Sequence, residues 1–362
     1  MLSLWNANSA KPQKWYQMPL DGCVSSTGKP YRITMKKGTV NKLLINFVGG
    51  GLSWNEETAA RPVSIGAMLK KKEFFYISDA LSIQLKFMNI GILNERDKRN
   101  PFHDWYVLTI PYTSGDFHIG NNEYSYQSMK GENKILYHHG NKNVSAALAV
   151  LKKFFPQTPD VLFIAGQSAG GYGCLAHSPK IKELYRNCNN IIVYSEVSHL
   201  HSSLWPEIAK NVWQVRPDLM AYIKSDDLIA DLFRYVRDHM PPSTQFLHLN
   251  SVWDKELVEM MHKMNHGKKQ VNSQARKEFH DTLLDTVRVL KSEIPSYAYY
   301  LTDYRKNQKD GTTPHMFSGS PKLLYSEMQD GMSLANWFFQ AIEGNPIDVG
   351  TKFVEEAGGM EN

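Results

Sequence analysis

The residues best placed to do chemistry lie in the run VLFIAGQSAGGYGCLA, 161–176. Gly166-Gln167-Ser168-Ala169-Gly170 spells G-x-S-x-G, with a strand-like apolar run before it and helix-compatible small residues after it. A strand that turns directly into a helix around a serine forces strained angles at that serine, so only small neighbours fit beside it. Such a turn lifts the hydroxyl above the sheet edge and aims the N–H of Ala169 at the place where an oxyanion would form. Ser168 is therefore read as a nucleophile.

A serine hydroxyl attacks poorly unless a base takes its proton, and the base needs an acid to orient it. In chains with this kind of turn the partners follow in the order serine, acid, histidine. His262 and His280 fall inside helical patterns, which would aim them poorly at a distant loop. His266 precedes Gly267 at an expected helix end and is the reserve. His315, in KDGTTPHMF, follows a Gly and Pro turn late in the chain and is the chosen base. For the acid, Asp254 in FLHLNSVWDKEL comes just past an expected strand. Asp226, Asp227, Asp231 and Asp238 lie in an inserted helical stretch, and Asp281 and Asp285 lie in a helix. The plainer role for Asp254 is a surface helix N-cap.

Oxyanion donors are expected from LLINFVGGGLSWN, where a strand runs into Gly49, Gly50 and Gly51. Three glycines let a backbone approach a ligand closely, and one such donor is worth about 3 to 4 kcal/mol in a transition state. The expected hole is Gly50, Gly51 and Ala169. Trp54, next to this loop, is expected to pack against an acyl group or a sugar ring, with a core role as the rival. Asp116 and His118 in GDFHIGNN are two potential ligands, too few for a metal site, and read as a structured loop near the pocket. His138 and His139 in YHHG read as a hydrogen-bonding pair where a helix begins. No metal and no cofactor is required by this chemistry.

These residues need a scaffold, and the chain is rich enough to build one. Its 362 residues, 42% hydrophobic, allow a large core. Short apolar runs recur at 43–47, 105–110, 161–165, 191–195, 246–250 and 297–301, each of strand length and composition. Between them lie helical patterns: Val144, Leu148, Leu151 and Phe155, and later Phe279, Leu283, Val287 and Leu290. Strands separated by helices predict an α/β fold with a mostly parallel sheet covered on both faces. The stretch 199–243 breaks the alternation with two helix-like pieces, LWPEIAKNVWQ and DDLIADLFRYVRDHM, carrying exposed-looking aromatics. It is expected to be a helical cap on a single domain spanning 1–362.

The formal charge of +5 is spread along the chain without basic blocks, too mild a balance for a nucleic-acid partner. No stretch approaches the roughly 18 apolar residues that cross a bilayer. Three cysteines, Cys23, Cys174 and Cys188, give no disulfide framework. The opening MLSLWNANSAKPQKWYQ lacks an apolar core of signal-peptide length, so a cytoplasmic protein is expected, with export through a leader outside this sequence left open. The oligomeric state is not legible.

Taken in order, FVGGGLSWN, IPYTSGDFHIG, HHGNKNVSAAL, GQSAGGYG, NSVWDKEL and TPHMF resemble the pectin acetylesterase and Notum family of carboxylesterases, from about Cys23 to about Ser320. The resemblance implies an α/β-hydrolase-like fold and a triad at Ser168, Asp254 and His315. It also suggests oxyanion donors at Gly50–Gly51 and Ala169. Relatives often read Gly-Gly-Gly-Ala-Cys-Trp where this chain has Gly49-Gly50-Gly51-Leu52-Ser53-Trp54, and often carry cysteine where Thr113 stands. The disulfides expected of exported relatives are thus missing, which agrees with a reducing compartment. The strand end YSEVSH differs from an acidic Asp-Ser sequence in relatives, with Glu196 in its place. The expected activity is hydrolysis of small acyl esters, acetyl on a carbohydrate first among them. A lipid-removing esterase like Notum, or a peptidase or acyltransferase using the same triad, are the alternatives.

Overall fold

The computed structural model describes residues 2–62 and 90–358. Three strands come first: Ser3–Leu4 (β1), Trp15–Val24 (β2) and Pro30–Lys36 (β3). Lys42–Phe47 (β4) and Tyr106–Ile110 (β5) follow, then an antiparallel hairpin of Asn122–Gln127 (β6) and Asn133–His138 (β7) outside the main sheet. Val161–Gln167 (β8), Ile191–Glu196 (β9), Gln245–Ser251 (β10) and Tyr297–Thr302 (β11) complete the main sheet, and a short antiparallel pair, Glu327–Gln329 and Met332–Ser333, lies apart from it. All six apolar runs of the sequence become strands. They form the parallel stretch β5-β4-β8-β9-β10-β11 of a sheet ordered β1-β2-β3-β5-β4-β8-β9-β10-β11. Only β3 runs against its neighbours. Every residue of β8 is buried, as expected for a strand covered on both faces.

Six helices matter for the site. Glu56–Ala60 (α1) follows the glycine loop, and Gly140–Phe154 (α2) buries Val144, Ala147, Leu148 and Leu151 on one face, the 3.6-residue stripe seen in sequence. Ala169–Leu184 (α3) starts directly after β8. Leu228–His239 (α4), Lys255–His266 (α5) and Ser273–Glu293 (α6) follow, their first turns capped by the carboxylates of Asp227 and Asp254 and the side-chain amide oxygen of Asn272.

Among the described residues no strand interrupts the stretch 199–243. Its aromatics are not exposed as the sequence suggested. Trp205 and Trp213 are fully buried, because Phe117, stacked on Tyr172 at 4.1 Å, gives both rings an aromatic partner. Trp213 also donates its indole N–H to the Ser53 carbonyl at 2.8 Å, fastening this stretch to the glycine loop. α4 packs on α3 and α6 and forms part of the crossover that joins parallel strands β9 and β10.

Candidate active site

The carboxyl ends of the parallel strands lie at one edge of the sheet, where open α/β sheets bind ligands. β4 leads into Gly49–Gly51, β8 ends before Ser168, β9 ends at Glu196, and β10 is followed by Asp254. The segment after β11 carries His315.

Ser168 takes φ 53° and ψ −125°, a strained conformation for a residue with a side chain. Its surroundings over-determine that geometry. A Cβ on Gly166 would come within 2.0 Å of the Gly170 carbonyl oxygen, so the turn closes only with glycine there. The Ser168 N–H donates to the Glu196 carbonyl at 2.7 Å. Ala169 opens α3, so its N–H belongs to the first turn, which has no intrahelical partner.

The glycine loop leans on this turn. A Cβ on Gly49 would stand 2.3 Å from the Gln167 carbonyl oxygen and 2.8 Å from Ser168 Cβ. Gly51 takes φ 99°, a conformation that side chains avoid. The loop is held from behind by residues whose individual roles were not legible in sequence. His118 Nε2 lies 2.9 Å from the Val48 carbonyl oxygen, and Asp116 accepts from the His118 and Gly140 N–H groups and from Ser114 Oγ. Burial pulls the His118 imidazole down to about 4, so it is neutral at pH 7, and with Nε2 protonated it donates to Val48. Burial pushes Asp116 up to about 6 against those hydrogen bonds. His138 Nδ1 lies 2.8 Å from the Ser114 carbonyl oxygen and braces the same loop, while His139 stands at the start of α2 without capping it. No three His, Cys, Asp or Glu side chains among the described residues group as metal ligands would.

The structure brings His315 and Asp254 together: Nδ1 lies 2.8 Å from Oδ2. The other carboxylate oxygen of Asp254 accepts the Leu257 N–H at 3.0 Å and caps α5. The N-cap weighed for this residue is thus present, and it leaves the second carboxylate oxygen to His315. Thr313 fixes the approach, its N–H donating to the Trp253 carbonyl at 2.9 Å while its own carbonyl accepts from Lys255 at 3.3 Å. Burial pulls the His315 imidazole down, but the Asp254 carboxylate overrides it, with further pushes from Glu256 and Glu196, and raises it to about 9. Glu256 Oε2 stands 3.9 Å from Nε2, on the far side of the ring from Asp254.

The other candidates lie elsewhere. His266 faces Glu278 at 3.6 Å near the end of α5, His262 bonds the Lys268 carbonyl, and His280 stacks on Trp253. Trp54 is buried, 5% exposed, with Lys263 Nζ 5.9 Å from its ring centre, which leaves little ring surface for a substrate.

Comparison with known proteins finds a family and a solved fold like this chain. Residues 20–198 match the family described as pectinacetylesterase, a segment holding the glycine loop, the 110–120 loop and the Ser168 turn. The crystal structure of the Wnt deacylase Notum from Drosophila superposes with a TM-score of 0.61 at 15% identity, over 90% of this chain and 92% of that one, and shows the shared α/β-hydrolase-like fold. No curated protein sequence matches the chain. The expectation of a cytoplasmic protein is overturned, because pectinacetylesterases and Notum are secreted or extracellular. It rested on the missing disulfides and on the opening residues, and three buried free thiols say nothing about compartment. Over residues 20–198, just under half of its length, the chain is thus similar to the pectinacetylesterases, a family of carboxylic ester hydrolases.

Proposed function

We propose that the protein hydrolyses small acyl esters, acetyl on a carbohydrate first among them, with Ser168 as nucleophile, His315 as base and Asp254 as its orienting acid. The observation that carries this reading is the pair formed by His315 Nδ1 and the buried Asp254 carboxylate at 2.8 Å, on a segment that Glu196 ties to the serine in a strained strand-to-helix turn. His315 takes the Ser168 proton through Nε2 as Oγ attacks the ester carbonyl, and Asp254 holds the tautomer that leaves Nε2 free to accept. The N–H groups of Ala169 and of Gly50 or Gly51 receive the developing oxyanion. The alcohol departs with the proton from His315, and water then releases the acid by the reverse roles. The stretch 199–243, anchored through Trp213, acts in this reading as a cap that shapes the acyl side of the pocket.

The test compares p-nitrophenyl acetate with the octanoate ester, using wild type and Ser168→Ala. Faster acetate cleavage and a dead alanine variant are expected. Octanoate preference moves the reading to a lipid esterase, the alternative that the fold shared with a Wnt deacylase brings in. Equal activity in both proteins removes Ser168 as nucleophile.

A further inference from the structure

Glu196 ends β9 between the two halves of the site, and its backbone and side chain bond to opposite halves. Its carbonyl oxygen accepts the Ser168 N–H at 2.7 Å. Its carboxylate reaches the segment that carries His315: Oε1 accepts the N–H groups of Phe317 at 2.6 Å and Ser318 at 3.0 Å. Oε2 accepts the Tyr194 hydroxyl at 2.9 Å and the Ser318 hydroxyl. We propose that Glu196 is a positioning residue for ester hydrolysis, one rigid unit that fixes the nucleophile turn through its main chain and the histidine segment through its carboxylate.

Three further observations support an aimed group. The side chain is fully buried, and a buried carboxylate is tolerated only when donors replace its water. Burial pushes its carboxyl up, while Ser318, Phe317 and Tyr194 pull it back. The turn that follows is strained: Val197, a β-branched residue, has φ 45°, held by its N–H on the Leu249 carbonyl at 2.8 Å. Ser198 Oγ then sits 3.0 Å from the Ser168 carbonyl oxygen and 2.9 Å from that of Glu196, clamping both. Strain of this kind persists where the surroundings enforce it, and it clusters at functional sites. An acceptor facing four donors is also a negative charge near His315. The charged groups that act on that imidazole are Asp254, Glu256 and Glu196.

The inference rests on the triad reading, and the experiment separates the two. Glu196→Gln keeps an oxygen for the Phe317 and Ser318 N–H groups, sets an amide against Ser318 Oγ and the Tyr194 hydroxyl, and removes the charge. It is expected to lower kcat about 100-fold, the scale of a small misplacement of reacting groups, with KM for p-nitrophenyl acetate nearly unchanged. The acid limb of its kcat/KM profile moves to lower pH, because less negative charge then favours the imidazolium. Glu196→Asp keeps the charge, so it loses kcat while its limb stays at the wild-type pH. A merely structural group would lower the melting temperature and leave kcat per active serine and the limb in place. Should Glu196→Gln fail to fold, Ser318→Ala removes a single donor and is expected to lower kcat about fivefold, the worth of one ordinary hydrogen bond. Folded Glu196→Gln or Ser318→Ala protein with wild-type kcat and limb overturns the inference. An active Ser168→Ala overturns the triad reading instead.

Discussion

Asp254 serves His315 and the first turn of α5 at once, with Oδ2 at 2.8 Å from the imidazole and Oδ1 at 3.0 Å from the Leu257 N–H. One carboxylate thus couples the orientation of the His315 ring to the start of a helix, and single substitutions separate the two duties.

Asparagine is as good an N-cap as aspartate, so Asp254→Asn retains the helix start. It cannot hold the imidazole in the tautomer that leaves Nε2 free to accept, a defect that costs on the order of 10⁴ in kcat at the serine-protease triad. Asp254→Ala loses both, with about 1 kcal/mol of stability gone as well. Thermal melts beside kcat measurements check this. An Asp254→Asn enzyme at full turnover would remove Asp254 from the mechanism.

The pH dependence follows from His315. In the proposed mechanism only the neutral imidazole can accept the serine proton, and the flanking carboxylates raise this group to about 9. We expect kcat/KM for p-nitrophenyl acetate to climb through neutral pH toward pH 9, with its acid limb well above the ordinary histidine value of about 6.5. Glu256→Gln removes the carboxylate 3.9 Å from Nε2 and shifts the limb downward. A limb below pH 6.5 in wild type contradicts the arrangement.

Stability carries the opposite sign for the buried histidines. Burial pulls His118 and His138 down to about 4 and His199 and His248 to about 3, so the folded chain refuses protons that the unfolded chain accepts near pH 6.5. Their contribution is present above pH 6.5 and is lost as pH falls toward 4. His315, raised in the fold, contributes fully below pH 6.5 and loses its share as pH rises through 9. Asp116, raised to about 6, also favours the lower pH, but urea midpoints at pH 5 and pH 7 are expected to show net destabilisation at pH 5, since the four depressed histidines outweigh His315 and Asp116.

The six core strands were legible because strands buried on both faces read as unbroken apolar runs. β2 and β3 were not, since they lie toward the edge of the sheet and β2 mixes buried with exposed positions around Asp21 and Gly22. The hairpin strand NEYSYQ is polar throughout and buries no residue fully. Ser168 and His315 stood out as candidates because local turn chemistry marks them. Asp254 presented two readings only because sequence does not show that its two oxygens face different partners. Glu196 could be noticed at a strand end, but its partners lie at 168 and 317–318, and no local pattern records such a contact. Trp205 and Trp213 looked exposed for the same reason, with Phe117 far away in the chain.

His118 tests whether the glycine loop must be held from behind. His118→Phe preserves a ring against Phe47 and Tyr112 but leaves the Val48 carbonyl without its partner at 2.9 Å. An unsatisfied buried acceptor costs about 1 to 3 kcal/mol. We expect lower stability together with a fall in kcat that His118→Gln, which restores a donor, partly repairs. A kcat unchanged in His118→Phe would show that the loop holds its shape alone.

The glycine loop itself gives the sharpest contrast between neighbours. A Cβ on Gly49 meets backbone, 2.3 Å from the Gln167 carbonyl oxygen, and also presses on Ser168. Neither atom can swing aside, so Gly49→Ala must displace the loop or the serine turn. A Cβ on Gly50 meets only the edge of the Tyr112 ring at 3.0 Å, a contact that a few tenths of an ångström relieve. If the N–H groups of Gly50 or Gly51 hold the oxyanion, moving them forfeits a donor worth about 2.7 to 4 kcal/mol, or 10² to 10³ in kcat. Gly49→Ala should therefore lose at least 100-fold in kcat while Gly50→Ala stays within about tenfold of wild type. Acetate turnover, normalised to the fraction of Ser168 that a phosphonate ester labels, reads both. Equal losses would mean that the spacing between loop and serine does not set the rate.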